Sequence, residues 1–136
     1  MNLQDRVGVF NRYIADSEVP DFFSAADVCI LPYKDGTQSG IVGISYNFNL
    51  PVIATNVGSL PQMIKPYKTG MVIESASPDM LQKAINDYFD NDLSIEFKNN
   101  INNYREQHSW DKVAKAVERL KERFDDERIK KIIFST

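Results

Sequence analysis

The chain has very few of the residues that build metal sites and covalent catalytic sites. It contains one cysteine, Cys29, and one histidine, His108, among 136 residues. That pair is too small a ligand set for a structural zinc site, and the sequence implies no other metal and no cofactor. Cys29 lies in an apolar run, which favours a buried small hydrophobe over a nucleophile. His108 lies between two predicted helices, where a packing or surface role is expected.

Long apolar runs and an excess of basic charge are also missing. No stretch of the sequence is apolar enough to span a bilayer, and the N-terminus lacks a signal-peptide pattern. We therefore expect a cytoplasmic protein, with a peripheral place at the membrane as the alternative. The net charge of −3 argues against a nucleic-acid partner, because phosphate-tracking proteins usually carry a clustered basic excess. The length suffices for one sizeable core, and a second full domain would not fit.

Short apolar runs alternate with amphipathic segments along the chain. The run at residues 28–31 does not alternate in polarity, which is typical of a strand buried on both faces. The alternation of strands and helices predicts an α/β fold, a Rossmann-like parallel sheet with helices on both faces, followed by C-terminal helices. The predicted strands are residues 6–10, 28–31, 52–54 and 70–73, and the predicted helices are residues 17–25, 40–48, 60–64, 77–89, 93–107 and 110–124.

The most informative segment is residues 27–62, in which a polar loop joins a buried strand to a helix. Ser39, Gly40 and Ile41 open that predicted helix, where free backbone N–H groups suit an anion such as phosphate. Thr37 and Gln38, just before them, offer side-chain hydrogen bonds to a sugar or a phosphate. The alternative is an ordinary strand-to-helix connection with Ser39 as the N-cap. The residues alone favour this alternative.

The same segment resembles the nucleotide-sugar-binding, C-terminal half of GT-B glycosyltransferases of the group-4 type. The resemblance extends from about Arg6 to Trp110 and rests on an ordered set of short matches. The matching residues are Ala26-Asp27-Val28, Leu31-Pro32-Tyr33, Thr37-Gln38-Ser39-Gly40, Ser45-Tyr46, Phe48, Pro51-Val52-Ile53-Ala54-Thr55 and Asn56-Val57-Gly58, with Val7-Gly8-Val9-Phe10 upstream and Thr69-Gly70-Met71-Val72 downstream.

The resemblance implies a domain organisation and a function. Residues 1–108 would form a Rossmann-like donor-binding domain that is incomplete at its N-terminus, and residues 109–136 a C-terminal helical extension. The chain would be the donor-binding part of a retaining glycosyltransferase of polysaccharide biosynthesis, which takes its sugar from a nucleoside-diphosphate sugar. An N-terminal acceptor domain or a separate subunit would be its partner. Because that half is missing from the resemblance, no catalytic residue can be named, and the isolated chain is expected to be inactive.

The resemblance also implies which residues bind the donor. The loop would hold the diphosphate and sugar, Tyr13 the nucleobase, and Tyr33 the sugar end, while Ser45 would lie near the ribose. For both tyrosines the alternative is a structural role at the sheet edge, and for Ser45 it is helix packing. Many relatives have two glutamates in this region, and neither is present here. The implied donor-binding residues are Tyr13, Tyr33, Thr37, Gln38, Ser39, Gly40, Ile41 and Ser45.

Two other interpretations stay open. The chain could be a non-catalytic nucleotide-sugar or partner-binding module, either a fragment or one subunit of a split enzyme. A flavodoxin-like phosphate sensor fits less well, because Asp27 precedes its strand instead of following it. An exposed cleft face and open sheet edge would favour self-association. The tail at 125–136 is interpreted as a charged helical extension, with docking through Ile132, Ile133 and Phe134 as the alternative.

Overall fold

A computed structural model describes residues 6–36 and 39–125 of the chain. Thr37, Gln38 and most of the tail therefore lie outside the described residues. The elements, in chain order, are α1 (Val19–Ala25), β1 (Cys29–Leu31), α2 (Ile41–Asn47), β2 (Val52–Thr55), α3 (Leu60–Ile64), a 3₁₀ turn (Lys65–Tyr67), β3 (Gly70–Ile73), α4 (Pro78–Asp90), α5 (Leu93–Gln107) and α6 (Trp110–Asp125).

The three strands form one parallel sheet in the order β1-β2-β3. Ile53 of the central strand pairs with Ile30 on one side and with Met71 on the other. All four residues of β2 are buried, which explains why its sequence does not alternate in polarity. Parallel strands need crossover connections, and helices provide them here, so the predicted Rossmann-like α/β fold is confirmed.

Hydrophobic cores cover both faces of the sheet. On one face, Val52 and Ala54 pack with residues of α2, α3 and α5, and on the other Ile53 packs with α4 and α5. This division follows from the alternation of side chains along a strand. The first cluster comprises Leu31, Val42, Tyr46, Val52, Ala54, Leu60, Ile64 and Ile101, and the second Ile53, Ala84, Tyr88 and Phe97.

Gly70, the first residue of β3, lies unusually close to the central strand. A Cβ atom at this position would lie 1.9 Å from the carbonyl oxygen of Val52. No side chain can occupy that space without moving the backbone of one strand. The glycine is therefore required by the close approach of β2 and β3.

The strand predicted at residues 6–10 is wrong. Residues 7–10 have no regular secondary structure, and Val9 exposes 81% of its surface. A strand is stabilised by hydrogen bonds to a neighbour, and no strand of the described residues pairs with this segment. Instead, the ring of Phe10 packs edge-on against Phe22 of α1, with ring centroids 5.0 Å apart.

Candidate functional site

The carboxyl ends of the three strands lie side by side at one edge of the sheet. The loop that leads to α2 starts there, after β1, and residues 56–59 follow β2 at the same edge. In open α/β sheets, ligands bind in the crevice outside these strand ends. The predicted phosphate loop therefore lies where the architecture favours a ligand.

Two hydrogen bonds tie the segments at this edge together. The side-chain hydroxyl of Thr55 donates to the carbonyl oxygen of Tyr33 over 2.7 Å. The side-chain amide of Asn56 donates to the carboxylate of Glu74 over 2.9 Å, which joins the segments after β2 and β3. Neither contact was predicted, because each joins residues that are far apart along the chain.

The start of α2 combines a buried polar side chain with an open backbone. Ser39 is buried, and its hydroxyl oxygen accepts a hydrogen bond from the Ile41 N–H over 3.3 Å. The hydroxyls of Tyr33 and Ser39 also lie 3.3 Å apart. At Gly40 a Cβ atom would meet no atom of the described residues within 4 Å. As far as these residues are concerned, the space beside this glycine is free for a ligand or for a larger side chain.

Tyr13 and Ile41 line one groove, between residues 12–14, α1 and the start of α2. Tyr13 is 81% exposed, so its ring is accessible for stacking. Two of the predicted donor-binding residues thus border the same cavity. The groove is lined mainly by apolar side chains, namely Tyr13, Ile14, Val19, Phe22, Phe23, Ile41 and Ile44, together with Arg12.

A two-pronged ion pair fixes one wall of this groove. The guanidinium of Arg12 donates to the Glu18 carboxylate over 2.6 and 2.8 Å, and the Ala15 N–H donates to it over 3.1 Å. The Arg12 hydrogen bonds, and then the Ala15 bond, lower the pKa of Glu18 below its ordinary value. The pair joins the Tyr13 segment to the start of α1.

Ser45 is not accessible to a ligand in this structure. The residue is fully buried, and its hydroxyl donates to the carbonyl oxygen of Ile41 over 2.9 Å. Side chains of serine commonly bond back to the preceding helical turn in this way. We therefore treat Ser45 as a packing residue and leave it out of the proposed contacts.

The surroundings of Cys29 and His108 indicate packing roles for both residues. Burial raises the pKa of the Cys29 thiol, which disfavours the reactive thiolate. The His108 ring stacks on Tyr104 with centroids 4.1 Å apart, and its Nδ1 lies 2.9 Å from the Tyr104 carbonyl oxygen. Within residues 6–36 and 39–125, no three His, Cys, Asp or Glu side chains converge as a metal site would require.

Comparison with known proteins identifies the family. The model of the family described as "Glycosyl transferases group 1" matches residues 1–108. Because the match covers most of the chain, the protein belongs to this family of glycosyltransferases.

Individual relatives are much longer than this chain. A D-inositol 3-phosphate glycosyltransferase from Streptomyces scabiei is 27% identical over 111 residues, which are 79% of this chain and 24% of that protein. A GDP-mannose-dependent alpha-(1-6)-phosphatidylinositol monomannoside mannosyltransferase from Mycobacterium tuberculosis is 30% identical over 83 residues, covering 56% of this chain and 22% of the relative. The chain therefore spans about a quarter of the length of the curated relatives it matches.

The helices can also be compared with the dimensions of a bilayer. In the described part of the chain, no helix combines the length and the apolar character needed to cross a membrane.

Proposed function

We propose that this chain is the donor-binding part of a glycosyltransferase that uses a nucleoside-diphosphate sugar and retains the configuration of the transferred sugar. Membership of the glycosyltransferase family supports sugar transfer. The proposal for the donor rests mainly on the position of the loop before α2 at the carboxyl edge of the sheet. The mycobacterial relative is a GDP-mannose-dependent enzyme, which supports a nucleotide-sugar donor in general.

The diphosphate is proposed to bind at residues 37–41. The first N–H groups of a helix have no partner within the helix, so that of Gly40 can donate to a phosphate oxygen, and that of Ile41 can do so by exchanging its hydrogen bond to the Ser39 hydroxyl. Because α2 has only 7 residues, its helix dipole is small, and the N–H groups next to the phosphate would contribute most of the attraction. Such donors also stabilise the charge that develops on the leaving diphosphate. Thr37 and Gln38 are proposed to add side-chain hydrogen bonds, and Ser39, whose hydroxyl is buried, to contribute through its backbone at the helix start.

The nucleobase is proposed to lie in the groove of Tyr13 and Ile41. Tyr13 offers an exposed ring. Ile41 belongs both to the lining of this groove and to the proposed phosphate loop, so the two parts of the site are adjacent. The Arg12–Glu18 pair links the tyrosine segment to the start of α1, and any order that it gives this segment reduces the ordering cost of binding. Tyr33 is proposed to contact the sugar end, since its hydroxyl lies beside Ser39.

A thermal-shift panel tests this proposal. The ligands are uridine, guanosine and adenosine diphosphates, their sugars, and the matching nucleosides without phosphate as controls. A ligand at 100 times its dissociation constant stabilises the folded state by about 2.7 kcal/mol. For a domain of this size that corresponds to a rise of several degrees in the melting temperature.

We expect one of the three bases to give the largest rise, and its free nucleoside to give much less. If no nucleotide or nucleotide-sugar raises the melting temperature at millimolar concentration, the donor site is wrong. The non-catalytic, partner-binding interpretation would then be preferred. A role in polysaccharide biosynthesis requires donor binding as its first condition, and it also requires a saccharide acceptor.

A further inference from the structure

A cavity of about 800 Å³ lies between α2, the second half of α5 and the start of α6. Gly43 and Asn47 form its α2 wall, and both are exposed. They are four residues apart, so they lie on one face of that helix. The volume falls within the range of about 300 to 1,000 Å³ that is usual for small-ligand pockets. None of the residues that line this cavity belongs to the proposed donor site.

Aromatic rings form one side of the cavity. The rings of Tyr46 and Tyr104 meet edge-on with centroids 5.2 Å apart, and the ring of His108 stacks on Tyr104. Tyr46 is buried in the core, which anchors this group of rings. Trp110 borders the same space and is 86% exposed. The cavity therefore combines an anchored aromatic wall with one flat, accessible indole.

A row of polar side chains faces the cavity from α5. Asn102, Arg105 and Glu106 line it, at a spacing of three and four residues that places them on one side of the helix. Asn47 adds a second amide from α2. The amides both donate and accept hydrogen bonds, the guanidinium donates and the carboxylate accepts. Neither charged side chain forms an ion pair with another described residue. Their hydrogen-bonding groups are therefore available to a ligand.

We propose that this cavity binds a neutral saccharide. A sugar ring has a face of C–H groups, which packs on a flat aromatic ring, and an edge of hydroxyls, which both donate and accept hydrogen bonds. The lining contains one basic and one acidic side chain, Arg105 and Glu106, so it offers no excess of positive charge for a phosphate. Saccharides are substrates and products of glycosyltransferases, the family to which the chain belongs.

The saccharide site is a neighbour of the proposed donor site and does not depend on it. Gly43 lies three residues after Gly40, about one helical turn further along α2. A saccharide could therefore bind whether or not a nucleotide does. The cavity is open to solvent, and few groups contact the ligand, so binding should be weak. We expect a dissociation constant on the order of 1 mM.

Fluorescence titration of the purified chain tests the proposal. Trp110 is the only tryptophan of the sequence, so all indole emission reports on this cavity. The probes are maltose, cellobiose, lactose and α-1,6-mannobiose, with glycerol and inorganic phosphate as controls. Packing of a sugar on the exposed indole removes water from it. We expect at least one disaccharide to shift the emission to shorter wavelength in a saturable way, and neither control to do so.

A pair of asparagine variants tests the location of the site. Asn102 and Asn103 are both exposed on α5, but only Asn102 lines the cavity. Alanine favours a helix more than asparagine does, so both alanine variants should keep their helix content by circular dichroism. Asn102→Ala should weaken saccharide binding by roughly three- to ten-fold, the effect of one lost hydrogen bond. Asn103→Ala should bind as wild type does.

Three outcomes would overturn the proposal. No disaccharide shifts the emission at about 100 mM, a hundred times the expected dissociation constant. Asn102→Ala and Asn103→Ala bind the active disaccharide equally well. Inorganic phosphate shifts the emission at lower concentration than any saccharide, which would assign the cavity to an anion. A nucleotide panel without any effect would refute the donor site alone and leave these results unchanged.

Discussion

The side-chain hydroxyl of Thr55 donates a hydrogen bond to the backbone carbonyl oxygen of Tyr33 over 2.7 Å. Thr55 ends β2 and is fully buried, while Tyr33 stands just after β1, at the start of the loop that reaches Ser39. The bond therefore fixes the first residues of the proposed phosphate loop to the central strand. Because the strand is rigid, its hydrogen bond positions the loop more precisely than contacts within the loop would.

Replacing Thr55 by valine should weaken both folding and nucleotide binding. The change removes the hydroxyl at nearly constant volume and leaves the Tyr33 carbonyl without this donor, at a cost of about 1 to 2 kcal/mol in the free energy of unfolding. Thr55→Ser is the control, because it keeps the hydroxyl and loses only a methyl group. We expect urea denaturation to show both variants destabilised, and calorimetry to show weaker nucleotide binding by Thr55→Val alone. Equal affinities of the two variants would contradict the positioning role of the bond.

Gly70→Ala should destabilise the sheet severely. The added methyl group would lie 1.9 Å from the Val52 carbonyl oxygen, so β2 and β3 must separate. We expect a loss of roughly 3 kcal/mol or more in the free energy of unfolding. Gly43→Ala is the matched control, because a Cβ atom there meets no other described residue within 4 Å and alanine favours the helix by up to ~1 kcal/mol. If thermal denaturation finds both alanine variants equally stable, the close approach of the strands is wrong.

The stability of the chain should fall at alkaline pH through Tyr46. Burial raises the pKa of its phenol to about 12, although a hydrogen bond with Thr69 partly opposes this. The ordinary pKa is 10.0. Below that value both the folded and unfolded states are protonated, and the full stability is present. As pH rises toward 12, the unfolded state loses its proton first, so stability should fall by roughly 2 to 3 kcal/mol.

Tyr46→Phe separates this effect from other alkaline changes. The variant should be less stable at neutral pH by about 1 kcal/mol, because Thr69 and the Met63 carbonyl lose their phenol partner. Between pH 10 and 12, however, its free energy of unfolding should decline less than that of wild type. Parallel declines of the two proteins would show that Tyr46 does not control the alkaline limb.

The chain by itself should not transfer sugar. It spans about a quarter of the length of its curated relatives, and rate acceleration requires contacts to donor and acceptor in one transition state. We expect donor hydrolysis at most when the purified chain is incubated with nucleotide-sugars and a range of acceptors. Turnover to a glycosylated acceptor, detected by mass spectrometry, would refute this expectation.

Much of the fold is predictable because each strand of the sheet has a short, mainly apolar sequence. The strand predicted at residues 70–73 has the same bounds as β3, and the one predicted at residues 52–54 agrees with β2 to within one residue. Helix α4 is indicated by its Pro78-Asp79 start, and Ser77 caps it by accepting a bond from the Met80 N–H over 3.2 Å. These features depend on local sequence, which is why the prediction succeeds.

The failed strand at residues 6–10 depends on partners that the local sequence does not specify. In a doubly wound sheet of order 3-2-1-4-5-6, the third strand is separated from the fourth by the first two. If residues 6–10 correspond to the third strand and β1 to the fourth, the two would not be neighbours. A short apolar stretch alone therefore could not predict pairing.

The candidate site is predictable only in part, for a similar reason. The loop sequence indicates where backbone N–H groups would be open, and a Cβ atom at Gly40 would meet no atom of the described residues within 4 Å. The bond from Thr55 to Tyr33 and the enclosure of Ser45 depend on how distant segments pack. Sequence spacing carries little information about such contacts. Thr37 and Gln38 lie outside the described residues and remain predictions.

Calorimetric titration of wild type, Gly40→Val and Gly43→Val with the preferred nucleoside diphosphate tests the central claim most directly. Gly40 has φ −68°, and a Cβ atom added at either glycine would meet no atom of residues 6–36 and 39–125 within 4 Å, so both variants should fold. Valine at position 40 would occupy the space proposed for the phosphate. We expect Gly40→Val to weaken binding by about ten-fold or more, or roughly 1.4 kcal/mol, and Gly43→Val to bind as wild type does. Equal affinities of wild type and Gly40→Val would contradict the assignment of this loop to the donor diphosphate.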